Sequence, residues 1–359
     1  MRFTKMHGLG NDYIVVEWME LAREIGRKNS EILECKFPEK HPEAEQALGE
    51  WIQHVCDRHF GIGADGVLII CPSQTADFRM LIYNADGSRA KMCGNGIRCS
   101  AKYMWDSGCF KQKKCKLLHK SGGERYINGN NINKSGGDIC ISGNNINKSG
   151  VIHSQYLKID TDSGVKTVKT RTKSRIKNIV PNITRPAVTE IIVNMGKPST
   201  DYKHFNIDYE GCSYTIIPVS MGNLHAVVFL DAEEALWKTT EKYDRLATYI
   251  QNLDYFSDGV NVEFAQILDN CHIQMRVWER GVGETLACGT GACAVCVAAI
   301  KVRMEKTLKS DSDINTDLTK NHRQYILIKL KGGMLKVSWT PGEDVCMAGP
   351  AVTVFEGNM

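Results

Sequence analysis

The sequence lacks any apolar run that approaches the ~18 residues a membrane-spanning helix requires. Polar residues begin at Lys5 and His7, so we also expect no signal peptide. Excess charge is small, because the formal net charge of 359 residues is +4. The most basic stretch, VKTVKTRTKSRIKN (165–178), lacks the interleaved aromatic side chains that stack on bases. These absences predict a cytoplasmic protein that binds neither a membrane nor nucleic acid.

Cysteine, in contrast, is abundant, with 14 residues in the chain. In a short secreted protein such a count would indicate disulfides, but this chain is long and carries no predicted secretion signal. We therefore expect most cysteines to be small buried hydrophobic residues in a reducing compartment. Hydrophobic residues make up 42% and charged residues 24%, which is typical of a globular protein long enough for two domains.

Short alternating segments such as DFRMLIYN (77–84) and HIQMRVWE (272–279) predict many β-strands. Helical spacing is rarer and predicts a charged helical region at 18–58 and helices at 97–108, 233–252 and 291–305. The first half of the last helix is almost wholly apolar, so we expect it to be buried. Many strands with few intervening helices favour the α+β class over a doubly wound parallel sheet.

The chain contains an internal repeat. MLIYNADGSRAKMCGNG, from Met80, aligns without a gap with MRVWERGVGETLACGTG, from Met275, so that Cys93 matches Cys288. A second pair of segments, GNDYIVV and GNLHAVV, aligns Asn11 with Asn223 and Tyr13 with His225. Matches in the same order predict two pseudo-equivalent halves that face each other across a cleft.

Each repeat places Cys-Gly-x-Gly directly before a predicted helix. The free N–H groups and the dipole at a helix N-terminus favour negative charge, so we expect lowered thiol pKa values at Cys93 and Cys288. The glycines would let a carboxylate approach the backbone closely. Two such thiols on opposite faces of a carbon atom could remove a proton from one face and return one to the other. This arrangement suits the inversion of a carbon centre.

Six motifs carry a family resemblance. GLGNDYIVVE, YNADGSRAKMCGNGIRC, VSMGNLHAVVF, DGVNVEFAQ, ERGVGETLACGTGACA and AGPAVTVFEG occur in this order over nearly the whole chain outside its insertions. Together they resemble the diaminopimelate epimerases. The resemblance implies two pseudo-symmetric α+β domains, each a curved, mostly antiparallel sheet wrapped around a central helix. It also implies an isomerase, independent of pyridoxal phosphate and of metal, that interconverts LL- and meso-2,6-diaminopimelate in lysine and peptidoglycan biosynthesis.

The resemblance further implies roles for single residues. Cys93 and Cys288 would be the acid–base thiols, and His225 and Glu279 would tune them. Substrate-binding positions would be Asn11, Asn84, Gly94, Asn95, Asn223, Asn261, Glu279, Arg280, Gly289 and Thr290. No metal or cofactor site is implied, the partner would be the small-molecule substrate, and a homodimer is compatible with the pattern. Two positions depart from the family, Leu224 where proline is common and Gly66 where some members have a polar residue.

Domain boundaries are predicted from the repeat and the low-complexity segments. The N-terminal half would comprise 1–118 plus 347–359, and the C-terminal half 155–346. Between them, 119–154 is predicted to be an exposed insertion or linker, since it contains GNNINKSG twice. A second polar insertion is predicted at about 307–323. Neither insertion contains a catalytic pattern.

Alternative interpretations remain open. Cys288, Cys293 and Cys296 have the C-x4-C-x2-C spacing of a plant-type iron–sulfur carrier, with Cys346 as the fourth ligand, but this leaves Cys93 and the repeat unexplained. More simply, Cys99, Cys293 and Cys296 fit apolar helix faces and are expected in the core.

Another cofactor-independent racemase, for example one acting on proline, is a nearer alternative. Proline racemases would have histidine in the first cysteine motif, where this chain has Asn95. Glu279 and Arg280 would in addition supply partners for the second amino-acid end of diaminopimelate.

Overall fold

The computed structural model describes residues 1–25, 42–90, 92–107, 145–147, 150–173, 188–231, 236–237, 240–309 and 325–359. Most of the predicted insertion at 119–154, and residues 310–323 of the second insertion, lie outside the described residues. So do residues 26–41 of the region predicted to be helical and parts of 232–239.

Two groups of elements follow each other along the chain. The first comprises β1 (Arg2–Gly8), β2 (Asn11–Glu17), α1 (Trp18–Ile25), α2 (Pro42–Cys56), β3 (Gly66–Cys71), β4 (Phe78–Asn84), β5 (Arg89–Ala90), α3 (Gly94–Asp106), β6 (Asn145–Asn147), β7 (Gly150–Thr161), β8 (Gly164–Lys173) and β9 (Val188–Gly196). The second comprises β10 (Phe205–Tyr209), β11 (Cys212–Ser220), β12 (Leu224–Phe229), α4 (Thr240–Gln251), β13 (Asn261–Ile267), β14 (His272–Glu279), β15 (Gly283–Thr285), α5 (Gly289–Lys309), β16 (Ile326–Leu330), β17 (Gly333–Ser338), β18 (Val345–Gly349) and β19 (Val352–Asn358).

Strand pairing repeats between the two groups. In the first, β1–β2 and β3–β4 are antiparallel and β2–β3 is parallel, while β4 pairs with β5 near one end and with β7 in parallel near the other. In the second, β11, β12, β13 and β14 repeat these directions, and β14 pairs with β15 and, in parallel, with β16. Antiparallel strands then follow in each group. The predicted α+β class with two pseudo-symmetric, mostly antiparallel halves is confirmed.

The predicted domain boundaries stay a prediction, because the pairing of β9 with β18 joins both halves into one continuous sheet. β7 pairs in parallel with β4, just as β16 pairs in parallel with β14, so β7–β9 correspond in the first half to β16–β18 in the second. We therefore propose a boundary after β9, near Lys197, rather than at residue 155. The last strand, β19, returns to pair with β1.

Two strands also enter the predicted first insertion. β6 pairs with the beginning of β7, and β7 begins at Gly150, inside the segment predicted to be an insertion. β8 pairs with β7 as far as Ile152, which extends the sheet into this segment.

Both cysteine motifs open helices that lie inside the molecule. The first turns of α3 and α5 are buried, and the apolar half of α5 is buried throughout, as predicted. Cys99, Cys293 and Cys296 are fully buried in the central apolar cluster, so their assignment to the core is confirmed. Separate apolar clusters lie beneath α1 and α2 and beneath α4. Within the described ranges, no helix combines the length and the apolar character needed to cross a membrane.

Candidate active site

The N-termini of α3 and α5 face each other at van der Waals distance. A Cβ atom added to Gly94 would lie 3.6 Å from the Cα of Gly289, and one added to Gly289 would lie 3.4 Å from the Cα of Gly94. Cys93 precedes α3 and Cys288 precedes α5, so the structure brings the two repeated motifs into one place. Glycine at both helix ends permits this close approach, and the side chain of Met347 packs against both glycines.

Hydrogen bonds of Asn95 and Arg98 connect the two cysteine motifs. Asn95 Nδ2 donates a 2.9 Å hydrogen bond to the carbonyl of Ala287, the residue before Cys288. Arg98 Nη2 donates in turn to Asn95 Oδ1 at 2.7 Å, and Arg98 also bonds to the carbonyl of Pro350. The side chain of Asn95 is thus 1% exposed and engaged at both ends. Any contribution of Asn95 to substrate binding would therefore come from its backbone N–H.

Cys93 lies in extended backbone just before α3 and is half-buried. The hydroxyl oxygen of Tyr13 is 2.9 Å from its Sγ. Burial raises the pKa of the Cys93 thiol, and the nearby Glu279 carboxylate raises it further. The Tyr13 hydroxyl and the backbone N–H groups of Gly96 and Asn95 act in the opposite direction without cancelling the effect of burial.

Cys288 is 6% exposed and has different neighbours. Thr290 Oγ1 lies 3.3 Å from its Sγ, and the N–H of Gly291 donates to the sulfur at 3.4 Å. Burial raises the pKa of Cys288 well above its usual value, and the carboxylates of Glu279 and Glu263 add to this. The expectation of lowered thiol pKa values is therefore wrong, because desolvation in this closed site outweighs the helix N-terminus.

A chain of polar side chains leads from the core to Cys288. His225 Nδ1 lies 2.6 Å from Glu263 Oε1, and both side chains are 0% exposed. His225 Nε2 lies 3.2 Å from Asn223 Oδ1, and Asn223 Nδ2 lies 3.5 Å from the hydroxyl of Thr290. His225 and Asn223 are thus connected through Thr290 to the thiol.

Glu263 is a candidate site residue that the sequence analysis missed. Within the described part of the chain, its Oε2 has no hydrogen-bond partner. A Cβ atom on Gly291 would lie 2.6 Å from Glu263 Oε1, so the carboxylate sits directly against the first turn of α5. One signal was available: Glu263 is two residues from Asn261 in β13, so strand alternation places both on one face.

Glu279 lies close enough to both thiols to raise their pKa values. Thr285 Oγ1 donates to its carboxylate at 2.6 Å. Burial raises the pKa of Glu279 itself, and the nearby Glu263 carboxylate raises it further. Glu279 is therefore a buried carboxyl group beside both cysteine motifs.

Arg280 and Asn261 are linked beside Glu279. The N–H of Arg280 donates to Asn261 Oδ1 at 2.9 Å, and the Arg280 guanidinium donates to the carbonyl of Asp258. The residue is exposed. Its side chain packs over Gly259, which has a positive φ of 80° and no side chain that would obstruct it. The Arg280 guanidinium is thus held against the turn that contains Asp258 and Gly259.

Asn11 and Asn84 occupy the positions in the first half that match Asn223 and Glu279. Asn11 begins β2, and its Oδ1 is buried with no hydrogen-bond partner among the described residues. Asn84 ends β4 and donates to Ser88 Oγ at 2.9 Å, so its side chain also serves a turn.

The two departures from the family pattern have different surroundings. A Cβ atom on Gly66 would collide with the carbonyl of Tyr83, so the backbone here excludes any polar side chain. Leu224 opens β12 and packs against the apolar cluster beneath α4.

Among the residues that the structure describes, no three His, Cys, Asp or Glu side chains are grouped to hold a metal ion. Cys288 lies at a helix N-terminus, whereas Cys293 and Cys296 are enclosed in apolar core. The spacing that suggested an iron–sulfur carrier is thus explained by packing.

The duplicated α+β fold is shared with solved structures of other proteins. The solved structure of a probable proline racemase from Agrobacterium radiobacter K84 has this fold, with a TM-score of 0.57, 13% identity and coverage of 100% of this chain and 92% of that one. At this identity the likeness concerns the fold alone.

Sequence comparison identifies the family. A family model described as Diaminopimelate epimerase matches residues 3–141 and 217–354. Diaminopimelate epimerase from Acetivibrio thermocellus is 31% identical, over 100% of this chain and 98% of the relative, and that from Bacillus cytotoxicus is 33% identical, over 99% and 96%. The chain belongs to the diaminopimelate epimerase family, which confirms the resemblance carried by its motifs.

Proposed function

We propose that the chain interconverts LL- and meso-2,6-diaminopimelate, a reaction on the route to lysine and peptidoglycan, through Cys93 and Cys288. One observation carries the proposal: the N-termini of α3 and α5 meet at Gly94 and Gly289, with a cysteine before each helix. Membership of the family, and the names of its members, support the choice of substrate.

In the proposed reaction the α-carboxylate of the substrate lies against the facing helix N-termini, where N–H groups from Gly94, Asn95, Gly289 and Thr290 favour negative charge. One cysteine, as thiolate, removes the α-proton, and the other, as thiol, donates a proton to the opposite face. The two sulfurs thereby exchange protonation states, so the enzyme is left in the form that acts on the product isomer in the reverse reaction. Because the α-hydrogen is a very weak acid, exclusion of water and preorganised N–H donors have to stabilise the developing carbanion.

Proton transfer within the site is supported by Glu279. Both thiols have raised pKa values, so an uncharged pair would not react without a nearby base. The carboxylate of Glu279 lies near both Cys93 and Cys288, and it can accept the proton whose loss creates the first thiolate.

The second end of the substrate distinguishes diaminopimelate from proline. Arg280, exposed beside Glu279, suits the distal carboxylate because its planar guanidinium can form two parallel hydrogen bonds. The amino and carboxylate groups would otherwise contact Asn11, Asn84, Asn223, Asn261 and Glu279. Proline offers no group for Arg280, so the set favours a substrate with two amino-acid ends.

An exchange assay in heavy water tests the proposal. The protein should interconvert the two diaminopimelate isomers and place deuterium at one α-carbon, and it should leave proline unchanged. Cys93→Ala and Cys288→Ala should each lower the rate by at least about 100-fold, since each removes an acid–base group. Cys99→Ala is the control, because Cys99 lies in the core next to the same helix turn. Near-normal turnover in either site variant would contradict the two-thiol reaction.

We also propose that the protein acts in the cytoplasm on this small molecule, without a nucleic-acid or membrane partner, and as a homodimer. The small net charge supports the absence of a nucleic-acid partner. Exposed apolar side chains of β19, including Val354 and Phe355, support a homodimer because large exposed apolar side chains favour association. Sedimentation analysis distinguishes a dimer from a monomer.

A further inference from the structure

The two halves provide unlike surroundings for their thiols. Tyr13 in β2 is paired with Gly66, and His225 in β12 is paired with Asn261, so the two aromatic side chains occupy corresponding positions. They are used differently, however. Tyr13 directs its hydroxyl at the Sγ of Cys93, at 2.9 Å, whereas His225 bonds to Glu263 and Asn223.

The residues packed beneath the two helix N-termini also differ between the halves. A Cβ atom on Gly96 would meet Leu68 Cδ2 at 3.0 Å, while one on Gly291 would meet the Glu263 carboxylate at 2.6 Å. Leu68 and Glu263 therefore hold matching positions against the two helix ends. Apolar surface lies beneath the first motif and a carboxylate beneath the second.

We propose, building on the proposed function, that Tyr13 is a positioning residue for the first half-reaction: its hydroxyl donates to the thiolate of Cys93 and makes Cys93 the first of the two thiols to ionise. Tyr13 keeps its proton throughout. The carboxylates of Glu279 and Glu263 disfavour an anion at Cys288, so the hydroxyl of Tyr13 adds to an existing difference.

The groups that face Cys93 support a donor role for Tyr13. Glu279 from β14 opposes a negative charge on the sulfur, as does Cys99 if ionised, and Arg98 from α3 favours it. Burial raises the pKa of Tyr13 well above its usual value, and Cys93 and Glu279 raise it further. The phenol therefore remains protonated at any pH at which the enzyme is active. It can donate to the sulfur but does not act as a competing base.

The rate at which iodoacetamide alkylates Cys93 and Cys288, followed by peptide mass spectrometry from neutral to alkaline pH, tests the proposal. Tyr13→Phe keeps the ring and removes the donor. A hydrogen bond to a charged group is worth about a factor of ten in the thiolate population of Cys93. Because a more basic thiolate is also more nucleophilic, the net slowing below the midpoint should be about threefold, with the midpoint moved to higher pH. Cys288, in the same samples, should keep its profile.

Matched variants separate tuning from a change in structure. Tyr103→Phe removes a hydroxyl that bonds to Glu17, outside the site, and should leave both thiol profiles unchanged. Replacement of Tyr13 by 3-fluorotyrosine, a stronger donor, should move the midpoint of Cys93 to lower pH, a reversal that a purely structural role would not produce. It also provides the test if Tyr13→Phe fails to fold.

The outcomes are distinct from those of the proposed function. A Cys93 profile that is unchanged in Tyr13→Phe, or equal shifts at Cys93 and Cys288, would overturn the role of Tyr13 even in an active epimerase. Failure of the unmodified protein to interconvert diaminopimelate would instead overturn the proposed function, while the thiol measurement would still decide whether Tyr13 tunes Cys93.

Discussion

At each of the two reactive sulfurs, two electrostatic effects oppose each other. Hydrogen bonds from the first N–H groups of α3 and α5 favour a thiolate, but enclosure by packed side chains disfavours any charge. The second effect is larger in the closed site, so thiols and not thiolates are stable there. A substrate that brings its own charges, together with Glu279, is then needed to create the reactive anion.

Replacement of Glu263 by glutamine should change Cys288 selectively. The neutral amide can still accept a hydrogen bond from His225, but it removes a negative charge that raises the Cys288 pKa. We therefore expect Glu263→Gln to move the alkylation profile of Cys288 to lower pH. The free energy of unfolding should fall by about 1–3 kcal/mol, because a buried charge-assisted hydrogen bond is weakened.

Glu190→Gln is the control for this change. Glu190 pairs with Arg171 and Lys336, and its removal should change stability by no more than about 1 kcal/mol and leave the thiols unaffected. Thiol-specific mass spectrometry and denaturant unfolding measure both effects. A Cys288 profile that does not move in Glu263→Gln would show that the carboxylate does not act on the thiol.

Among the helices, function depends on how closely α3 and α5 approach each other. Alanine at Gly289 would place Cβ 3.1 Å from Met347 Sδ and 3.4 Å from the Cα of Gly94. The methionine can move by the few tenths of an ångström required, so Gly289→Ala should fold, but the added methyl group would lie between the two helix ends, where the substrate carboxylate is proposed to bind. We expect kcat/KM to fall by about 10- to 100-fold, since misplaced reacting groups slow catalysis steeply.

Gly49→Ala is the corresponding control in α2. Nothing lies within 4 Å of a Cβ atom at that position, so the variant should be stabilised by about 0.5–1 kcal/mol and should keep full activity. Thermal unfolding and the epimerisation assay measure both variants side by side. Wild-type kcat/KM in Gly289→Ala would mean that the space between the helix ends is not needed for the reaction.

The sequence predicts those features of the helices and strands that occur in both halves, but not those that occur in only one half. Cys93 and Cys288 can be paired because their motifs match, and the buried first half of α5 follows from its apolar composition. Glu263 is missed for the same reason, since the repeat aligns it with Leu68, an ordinary strand residue. The raised thiol pKa values also depend on packing from distant strands, which local sequence does not show.

For the whole molecule, the repeat predicts two halves but not where one ends. β7 pairs with β4 in parallel although a long segment separates them, and such long-range pairing leaves no local trace in a strand of alternating residues. The sheet continues from β9 to β18, so the halves share one layer of backbone hydrogen bonds. The central cluster draws side chains from both halves and encloses several cysteines.

Because of these enclosed thiols, the free energy of unfolding should decrease as the pH rises into the alkaline range. Burial raises the pKa of Cys56 to about 11 and those of Cys99 and Cys296 to about 12. An unfolded chain releases these protons at a pH near 8.5, the ordinary value for a thiol. Between that pH and the folded-state pKa values, the unfolded state binds fewer protons. Stability should then fall by about 1.4 kcal/mol per pH unit for each thiol.

Denaturant unfolding at increasing pH measures this dependence. Cys99→Ala should flatten the decline by one thiol's share, whereas Cys212→Ala, which removes an exposed cysteine, should leave the slope unchanged. Lysines and tyrosines titrate in the same range, but they contribute equally to all three proteins, so the differences between slopes isolate the thiols. Parallel curves for Cys99→Ala and the unmodified chain would show that the buried sulfur ionises as readily in the folded state as in the unfolded one.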